Sequence, residues 1–311
     1  MKTKFIVFFL MLFILLLTYI NKEIIIEDKI STNINTDTEK LLTSDINKAK
    51  KVSLLYNDNQ ITMDLEEYVI GVVACEMPAS FNIEALKALS VASRTYAMYK
   101  INRDENYILK TTTADQCYID EDKMKEKWKD NYEKYLNKIK EAVNQTKNEI
   151  LTYNNEPIIA FYFSISNGKT ENVKNVFSQK LDYLVSVDSS YDKKYNYKEK
   201  TITISKNDFY KKLNINKIEN IEIKKTISGR IDTISINDKT YKGTEFRKMF
   251  NLRSTDFNIE IEKENIIITT KGYGHGVGMS EYGANAMANE GYKYDEILYH
   301  YYLNTKIMNN Y

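Results

Sequence analysis

Apolar and polar positions change their spacing several times along this chain, and each change marks an element. Phe5 to Ile20 reads FIVFFLMLFILLLTYI without a charged residue, and Lys2 and Lys4 precede it. A helix needs roughly 17–25 apolar residues to span a bilayer, whereas a secretory leader carries an apolar stretch of about 7–15 ahead of a small-residue cleavage site. Asn21-Lys22-Glu23 follow here, with no A-x-A pattern. The reading is an uncleaved single-pass anchor over residues 1–20, with its lysines on the cytoplasmic side and the rest of the chain outside. Residues 21–51 are polar, of mixed charge and aperiodic, which describes a stalk. A folded domain is expected over 52–311.

Within that domain Val52–Leu55 and Gln60–Met63 read as two strands around a Tyr-Asn-Asp-Asn turn. Asp64 opens a helix, with Glu67 three residues on as in a capping box, and Pro78 ends it. A second helix is predicted over 83–100 and a third over 121–147, where Met124, Trp128, Tyr132, Tyr135, Ile139 and Val143 share one face. From Glu149 the pattern turns to strands, at 150–153 and 158–163 around Asn154-Asn155, then at 201–204, 221–227, 231–236, 258–262 and 265–270. Short helices are predicted at 207–213, 244–250, 280–290 and 295–303. Helices and strands mix without a βαβ rhythm, so the fold class is α+β with antiparallel strands in a single domain behind the anchor.

Composition changes this picture little. Lys and Arg number 44 against 43 Asp and Glu, which gives no basic surface of the kind nucleic acid requires. The two cysteines, Cys75 and Cys117, form no CxxC pair, and the two histidines, His275 and His300, have no ligand spacing with them. No metal is expected. Two free thiols are the plainer reading, and a disulfide is open to an exported domain.

Two features carry candidate chemistry. Glu76 continues the stripe Leu65-Val69-Val72 at i, i+4, i+7 and i+11. It therefore faces the interior or a cleft, in the last turn of its helix. Desolvation and the negative helix end both favour the protonated form that general-acid catalysis uses. The plain alternative is a helix-end glutamate paired with a cation, and Lys87 and Arg94, on one face of the next helix, are the available partners. The second feature is KGYGHGVGM at 271–279, where glycine alternates with Tyr273, His275, Val277 and Met279. It is neither a Walker A loop nor a dinucleotide fingerprint. Such alternation calls for unusual φ angles or close approach by another segment, and in an extended stretch Tyr273 and His275 project to one side as a wall for sugar. A tight core crossing without a ligand is the competing explanation. No G-x-S-x-G elbow is present, and neither cysteine has a local Cys–His pattern.

Three blocks together resemble one family: GVVACEMPASFNIEALKALSVASRTYA at 71–97, FSISNGKTE at 163–171 with YLVSVDSSYD at 183–192, and KGYGHGVGMSEYGANAMANEGYKYDEILYHYY at 271–302. From about residue 52 to the end the chain is similar to the stage II sporulation protein D family. The resemblance implies a lytic transglycosylase of engulfment in endospore-forming bacteria, which cleaves the MurNAc–GlcNAc β-1,4 bond, leaves a 1,6-anhydroMurNAc end and needs no cofactor. It implies Glu76 as the catalytic residue. It also places substrate contacts at Lys87, Arg94, Gln116, Tyr118, Ser166, Thr170, Tyr183, Asp192, Ser280 and Tyr282, beside Tyr273 and His275. The partners it implies are peptidoglycan glycan strands stripped by the amidase stage II sporulation protein P, and the membrane protein stage II sporulation protein M. Related domains occur in amidase-enhancer proteins, so a non-enzymatic glycan-binding module that activates an amidase is the alternative. The chain departs from the family pattern in three places. Many relatives have S-Q-Y-G-A where this chain has Ser280-Glu281-Tyr282-Gly283-Ala284, and many have Ala at the position of Cys75. Of a His/Cys zinc pattern that some relatives carry near 114–120, only Cys117 is present, so zinc is not expected.

Overall fold

The computed structural model describes residues 50–309. The expected anchor over 1–20 and nearly all of the stalk lie outside the described residues. Among the described residues no helix is long and apolar enough to cross a membrane.

Lys51–Tyr56 (β1) and Asn59–Asp64 (β2) pair antiparallel with Tyr56 opposite Asn59, so the connecting loop is Asn57-Asp58 alone. Both loop residues have positive φ, 49° and 62°. A two-residue turn between right-twisted strands needs that conformation, and Asn and Asp tolerate it. Asp64 caps Leu65–Glu76 (α1) by accepting from the Glu66 N–H at 2.8 Å. Asn82 caps Ile83–Arg103 (α2) in the same way. Thirteen of the 21 residues of α2 are buried, so it is the central rod on which α1 and later elements pack. Ile108–Lys110 (β3) returns parallel to β1.

The single helix expected over 121–147 is two. Glu121–Trp128 (α3) and Tyr132–Gln145 (α4) are separated by a tight turn at Lys129–Asn131, where Lys129 has φ 46°. Lys-Asp-Asn favours helix weakly, and the apolar stripe survives the break because the Trp128 ring packs against Tyr132 and Tyr135 at 6.5 and 5.9 Å. Glu149–Tyr153 (β4) pairs with Glu156–Pro157 (β5) around Asn154-Asn155. The expected strand at 158–163 is not continuous. Only Tyr162–Phe163 (β6) is paired, and its partner comes from the far end of the chain.

After the short helix Val173–Phe177 (α5) and an irregular helical stretch at Ser190–Lys198, a second apolar centre begins. Lys200–Ser205 (β7), Lys206–Leu213 (α6), Ile221–Lys225 (β8), Ile231–Ile236 (β9), Lys239–Lys242 (β10), Gly243–Met249 (α7), Phe257–Ile261 (β11) and Asn265–Thr270 (β12) build it. Two antiparallel three-stranded sheets, ordered β10-β9-β8 and β11-β12-β7, enclose Phe209, Ile234, Phe246, Phe257 and Ile268. The chain then returns to the first core as Met279–Ser280 (β13), Glu281–Asn289 (α8), Tyr294–Tyr301 (α9) and Lys306–Asn309 (β14), the last antiparallel to β4. The α+β class holds, and most pairings are antiparallel. β1–β3 and β6–β13 are parallel.

Candidate active site

Glu76 is the last residue of α1, where Pro78 and the C-cap Met77 end the helix. Its side chain is half-buried, and Oε1 accepts the Cys117 N–H at 2.7 Å. Burial pushes its pKa above the usual carboxylate range, and the Cys117 N–H and the Lys127 ammonium oppose that push. Neither cation foreseen as its partner touches it. Lys87 donates to Glu84 at 2.9 Å within its own helix. Arg94 is fully buried and donates Nε and Nη2 to Glu66 at 2.9 and 2.6 Å, and Nη1 to the Glu149 carbonyl at 3.1 Å. Arg94 therefore ties α1, α2 and β4 together from a buried position. Lys87 sits in a helix-surface pair.

The cation that reaches the C-terminal end of α1 is Lys127 of α3, on a helix to which the sequence assigns no chemistry. Its Nζ donates to the carbonyls of Ala74 and Cys75 at 2.8 and 3.2 Å, satisfying the C-terminal end of α1. Lys138 of α4 donates to the Phe81 and Ser80 carbonyls and holds the loop that follows Glu76. Both lysines escape a sequence reading because their partners are backbone carbonyls about 50 or more residues away.

Cys75 and Cys117 are joined in a disulfide with Cα atoms 5.7 Å apart, which corrects the reading as free thiols. The bond fixes the 116–118 segment against the end of α1, so the N–H that Glu76 accepts belongs to a covalently tethered residue. Gln116 is buried, accepts from Tyr68 Oη at 3.0 Å and donates to Tyr162 Oη at 2.9 Å. Tyr118 stacks on Tyr68 at 5.8 Å and fills the space over Gly71, where a Cβ would meet its ring at 2.1 Å. These two residues position the loop that holds Glu76.

All four glycines of the ladder have positive φ, and both explanations offered by the sequence hold together. At Gly278 a Cβ would lie 1.9 Å from the Phe161 carbonyl oxygen, and at Gly274 2.7 Å from Phe163 Cβ. The ladder therefore lies directly on the 161–165 segment, and β13 pairs with β6 with Met279 opposite Tyr162. Because φ reverses at every second residue, the stretch is not extended, and Tyr273 and His275 do not share a side. Tyr273 is 48% exposed beneath the Arg253 guanidinium. The His275 ring packs among Phe161, Phe163 and Phe177 at 5.4–5.8 Å, and its Nδ1 accepts the Val277 N–H. Burial, with the Arg247 and Arg230 charges nearby, pushes His275 down to about 3, so it is neutral and structural.

Directly after β13, Glu281 opens α8. Glu281 is 4% exposed and makes no hydrogen bond or ion pair among the described residues. Burial and then the Glu76 charge hold its carboxyl well above the usual range, while Lys127 opposes. The sequence shows Glu281 only as a departure from the family pattern.

The remaining candidates divide. Ser166, Asp192 and Ser280 are fully buried in one network. Asp192 accepts from the Ser166, Ser189 and Ser280 hydroxyls, joining the second block to the third. Burial raises its pKa, and those hydroxyls pull the other way. Thr170 is buried and bonded to the 185–187 backbone, and buried Tyr183 accepts the Ile159 N–H. These five are buried and bonded within the fold. Tyr282 is different. It is part-exposed, with Phe81 and Tyr195 edge-on at 4.9 and 4.8 Å, and its hydroxyl accepts from the exposed Lys198 ammonium at 2.6 Å. Phe81, Tyr195 and Tyr282 thus form an aromatic cluster with a cation, next to Glu281 in sequence.

The chain has known relatives. A family profile described as stage II sporulation protein matches residues 58–153, and one for a domain of unknown function matches 122–278. Stage II sporulation protein D of Bacillus subtilis (strain 168) is 41% identical over 262 residues, 81% of this chain and 76% of that protein. Its counterpart in Bacillus amyloliquefaciens is 40% identical over 79% of this chain and 74% of that protein. A protein of Bacillus subtilis (strain 168) named amidase enhancer is 30% identical over 76% of this chain and 40% of its own length. With Glu76 inside the residues that the sporulation profile matches and that identity running over most of both chains, the chain belongs to the stage II sporulation protein D family.

Proposed function

We propose that this chain is a peptidoglycan lytic transglycosylase that cleaves the MurNAc–GlcNAc β-1,4 bond of amidase-stripped glycan strands during engulfment. The observation that carries the reading is the half-buried carboxyl of Glu76, aimed by the N–H of a disulfide-tethered residue. Glu76 gives its proton to the glycosidic oxygen as the bond from MurNAc C1 breaks. The resulting carboxylate takes the proton of the MurNAc C6 hydroxyl, and the C6 oxygen closes on C1. The proton count is restored and no water is consumed. One acid suffices because the attacking hydroxyl belongs to the substrate itself, unlike hydrolytic glycosidases, which use two carboxyls.

Phe81, Tyr195 and Tyr282 offer ring surface to a sugar, and Lys198 offers a cation to the lactyl carboxylate that amidase action exposes on MurNAc. The disulfide suits an oxidising, extracytoplasmic compartment, and the leading apolar run suits an anchor that leaves the domain outside the cytoplasm. The names of the relatives support a role in sporulation and at the cell wall. The proposed partners are the amidase stage II sporulation protein P and stage II sporulation protein M.

The test incubates amidase-stripped glycan strands with the full-length chain and resolves the products by mass spectrometry. Anhydro-ended fragments are expected from wild type and not from a folded Glu76→Gln variant that still binds glycan. Cutting by that variant would remove Glu76 from the role of acid. A second reading, a glycan-binding module that stimulates an amidase, is favoured by the amidase-enhancer relative. Stimulation of a partner amidase by wild type and Glu76→Gln alike, with no anhydro ends from either, would replace the first reading with the second.

A further inference from the structure

Three cations lie over tyrosine rings on one connected part of the surface. Lys198 Nζ is 4.3 Å from the centre of the Tyr282 ring, and Lys271 Nζ is 4.2 Å from that of Tyr197. The Arg253 guanidinium carbon is 5.2 Å from the centre of the Tyr273 ring. Lys198 and Tyr273 are exposed, and the other four residues are half-buried. None of the three cations pairs with a carboxylate among the described residues. The backbone links the pairs. Tyr197 and Lys198 are consecutive, and the N–H of Gly272, between Lys271 and Tyr273, donates to the Tyr197 carbonyl at 2.8 Å. Phe81, on the loop that follows Glu76, stands edge-on to Tyr282 at 4.9 Å. The segment that supplies Tyr197 and Lys198 is strained. Asn196, Tyr197 and Lys198 have φ of 50°, 48° and 47°. Asparagine tolerates the left-handed region, whereas tyrosine and lysine adopt it rarely. Such backbone persists only where its surroundings hold it, and it gathers at binding sites. Here the turn brings Tyr197 under Lys271 and Lys198 over Tyr282.

We propose that the three cation–tyrosine pairs form a track for an anionic glycan strand, in which the rings lie against sugars and the cations take successive carboxylates. This rests on the reading of amidase-stripped glycan as the substrate, which by itself uses Lys198 alone. Removal of the stem peptides leaves a lactyl carboxylate on every MurNAc, so a stripped strand carries a negative charge on every second sugar. One exposed ion pair contributes little, because water and salt screen it. A row of them holds a strand over several repeats, since each contact after the first forms within the bound complex. Each ring keeps its cation in place at the surface and offers apolar area to the adjoining sugar. A strand that still bears stem peptides has its lactyl carboxyls tied up as amides and presents no such row. The track therefore selects long, stripped strands over short or peptide-bearing ones.

The experiment measures, by fluorescence anisotropy, the binding of end-labelled stripped strands to the full-length chain in detergent. The comparison ligand is the same strand with its lactyl carboxyls converted to neutral methylamides. Every protein carries Glu76→Gln, so that strands stay whole. Lys198→Gln, Lys271→Gln and Arg253→Gln are each expected to weaken binding of the native strand about three- to fivefold and to leave the methylamide strand unaffected. The parent protein is expected to prefer the native strand about thirtyfold, and the triple variant to lose that preference. Affinity of the parent for native strands is expected to climb as they lengthen from one disaccharide to about three, and that of the triple variant to stay flat. Lys271→Arg keeps the charge and is expected to keep the preference. Equal weakening on both ligands, or a preference that survives in the triple variant, would overturn the track and leave the three pairs as surface packing. Should the triple variant not fold, equal binding of the two ligands by the parent overturns it just as well. Polyaspartate of matched charge bound as tightly as the native strand would show that charge alone is read, and would also overturn it. A parent that binds neither ligand removes glycan as the substrate and the track with it, whereas charge-blind binding removes the track alone.

Discussion

Sterics fix the glycine at 278, and two glycines of this chain separate space from backbone conformation. Gly278 and Gly291 both have positive φ, at 77° and 100°. A Cβ at 278 meets the Phe161 carbonyl at 1.9 Å, whereas one at 291 meets nothing within 4 Å. Gly291→Ala is expected to cost about 1 kcal/mol for the left-handed backbone alone, and Gly278→Ala at least about 3 kcal/mol because β13 must also leave β6. Denaturant unfolding of the two variants checks the gap, and equal costs would mean that the ladder yields to the added methyl. Asp192 is a second single-residue hinge of the fold. It accepts three serine hydroxyls from separate segments, and Asp192→Ala leaves those donors unsatisfied in the core. A loss of about 2–4 kcal/mol is expected, with glycan contacts unchanged in whatever fraction remains folded. Titration of stability and of glycan affinity on one sample separates these effects.

At the scale of elements, the Cys75–Cys117 bond joins α1 to the loop before α3. It closes a loop of 42 residues of sequence separation, for which chain entropy gives about 4 kcal/mol, and delivered values run about 2–4. Replacing both cysteines with alanine is expected to lower stability by that amount. It is also expected to lower the cutting rate of the folded protein, because the Cys117 N–H is no longer held on Glu76. A variant that loses stability but keeps the wild-type rate would show that Gln116, Tyr118 and Lys127 hold the loop unaided. Most elements were legible because their signals are local: alternation in β9 and β12, the Asp64 and Asn82 caps, and the Asn-rich turns. The break at Lys129 was hidden because the apolar stripe runs on through it. β6 and β13 were hidden because each is two residues long and is defined only by the other. Glu76 was legible from its place on a stripe, since helical spacing reports burial. Lys127 and Glu281 were not, because what brings them to Glu76 is the packing of α3 and α8, which no local pattern records.

Over the whole molecule, buried ionisable groups set how stability follows pH, since the 44 basic and 43 acidic residues nearly cancel. The groups with opposite consequences are His275 and the buried carboxyls of Glu76, Glu281 and Asp192, the last raised by burial in the same way. The folded-state value of His275 is pushed down to about 3, below the ordinary 6.5. As pH falls below 6.5 the unfolded chain takes up a proton that the folded ring refuses, so stability is lost between about 6.5 and 3. Glu76 and Glu281 are raised above the ordinary 4.5. Above that pH the unfolded chain releases protons that the folded pair keeps, so stability falls as pH rises from there toward the folded-state values. The two contributions bracket a maximum on the acid side of neutrality. His275→Phe is expected to flatten the acid limb while keeping ring contacts with Phe161 and Phe177. Glu281→Gln is expected to raise stability at pH 7 by on the order of 1 kcal/mol, with the gain vanishing near pH 3, where the carboxyl is neutral in both states. Thermal unfolding from pH 3 to 9 on wild type and both variants measures this. A Glu281→Gln gain that persists at pH 3 would trace the effect to packing.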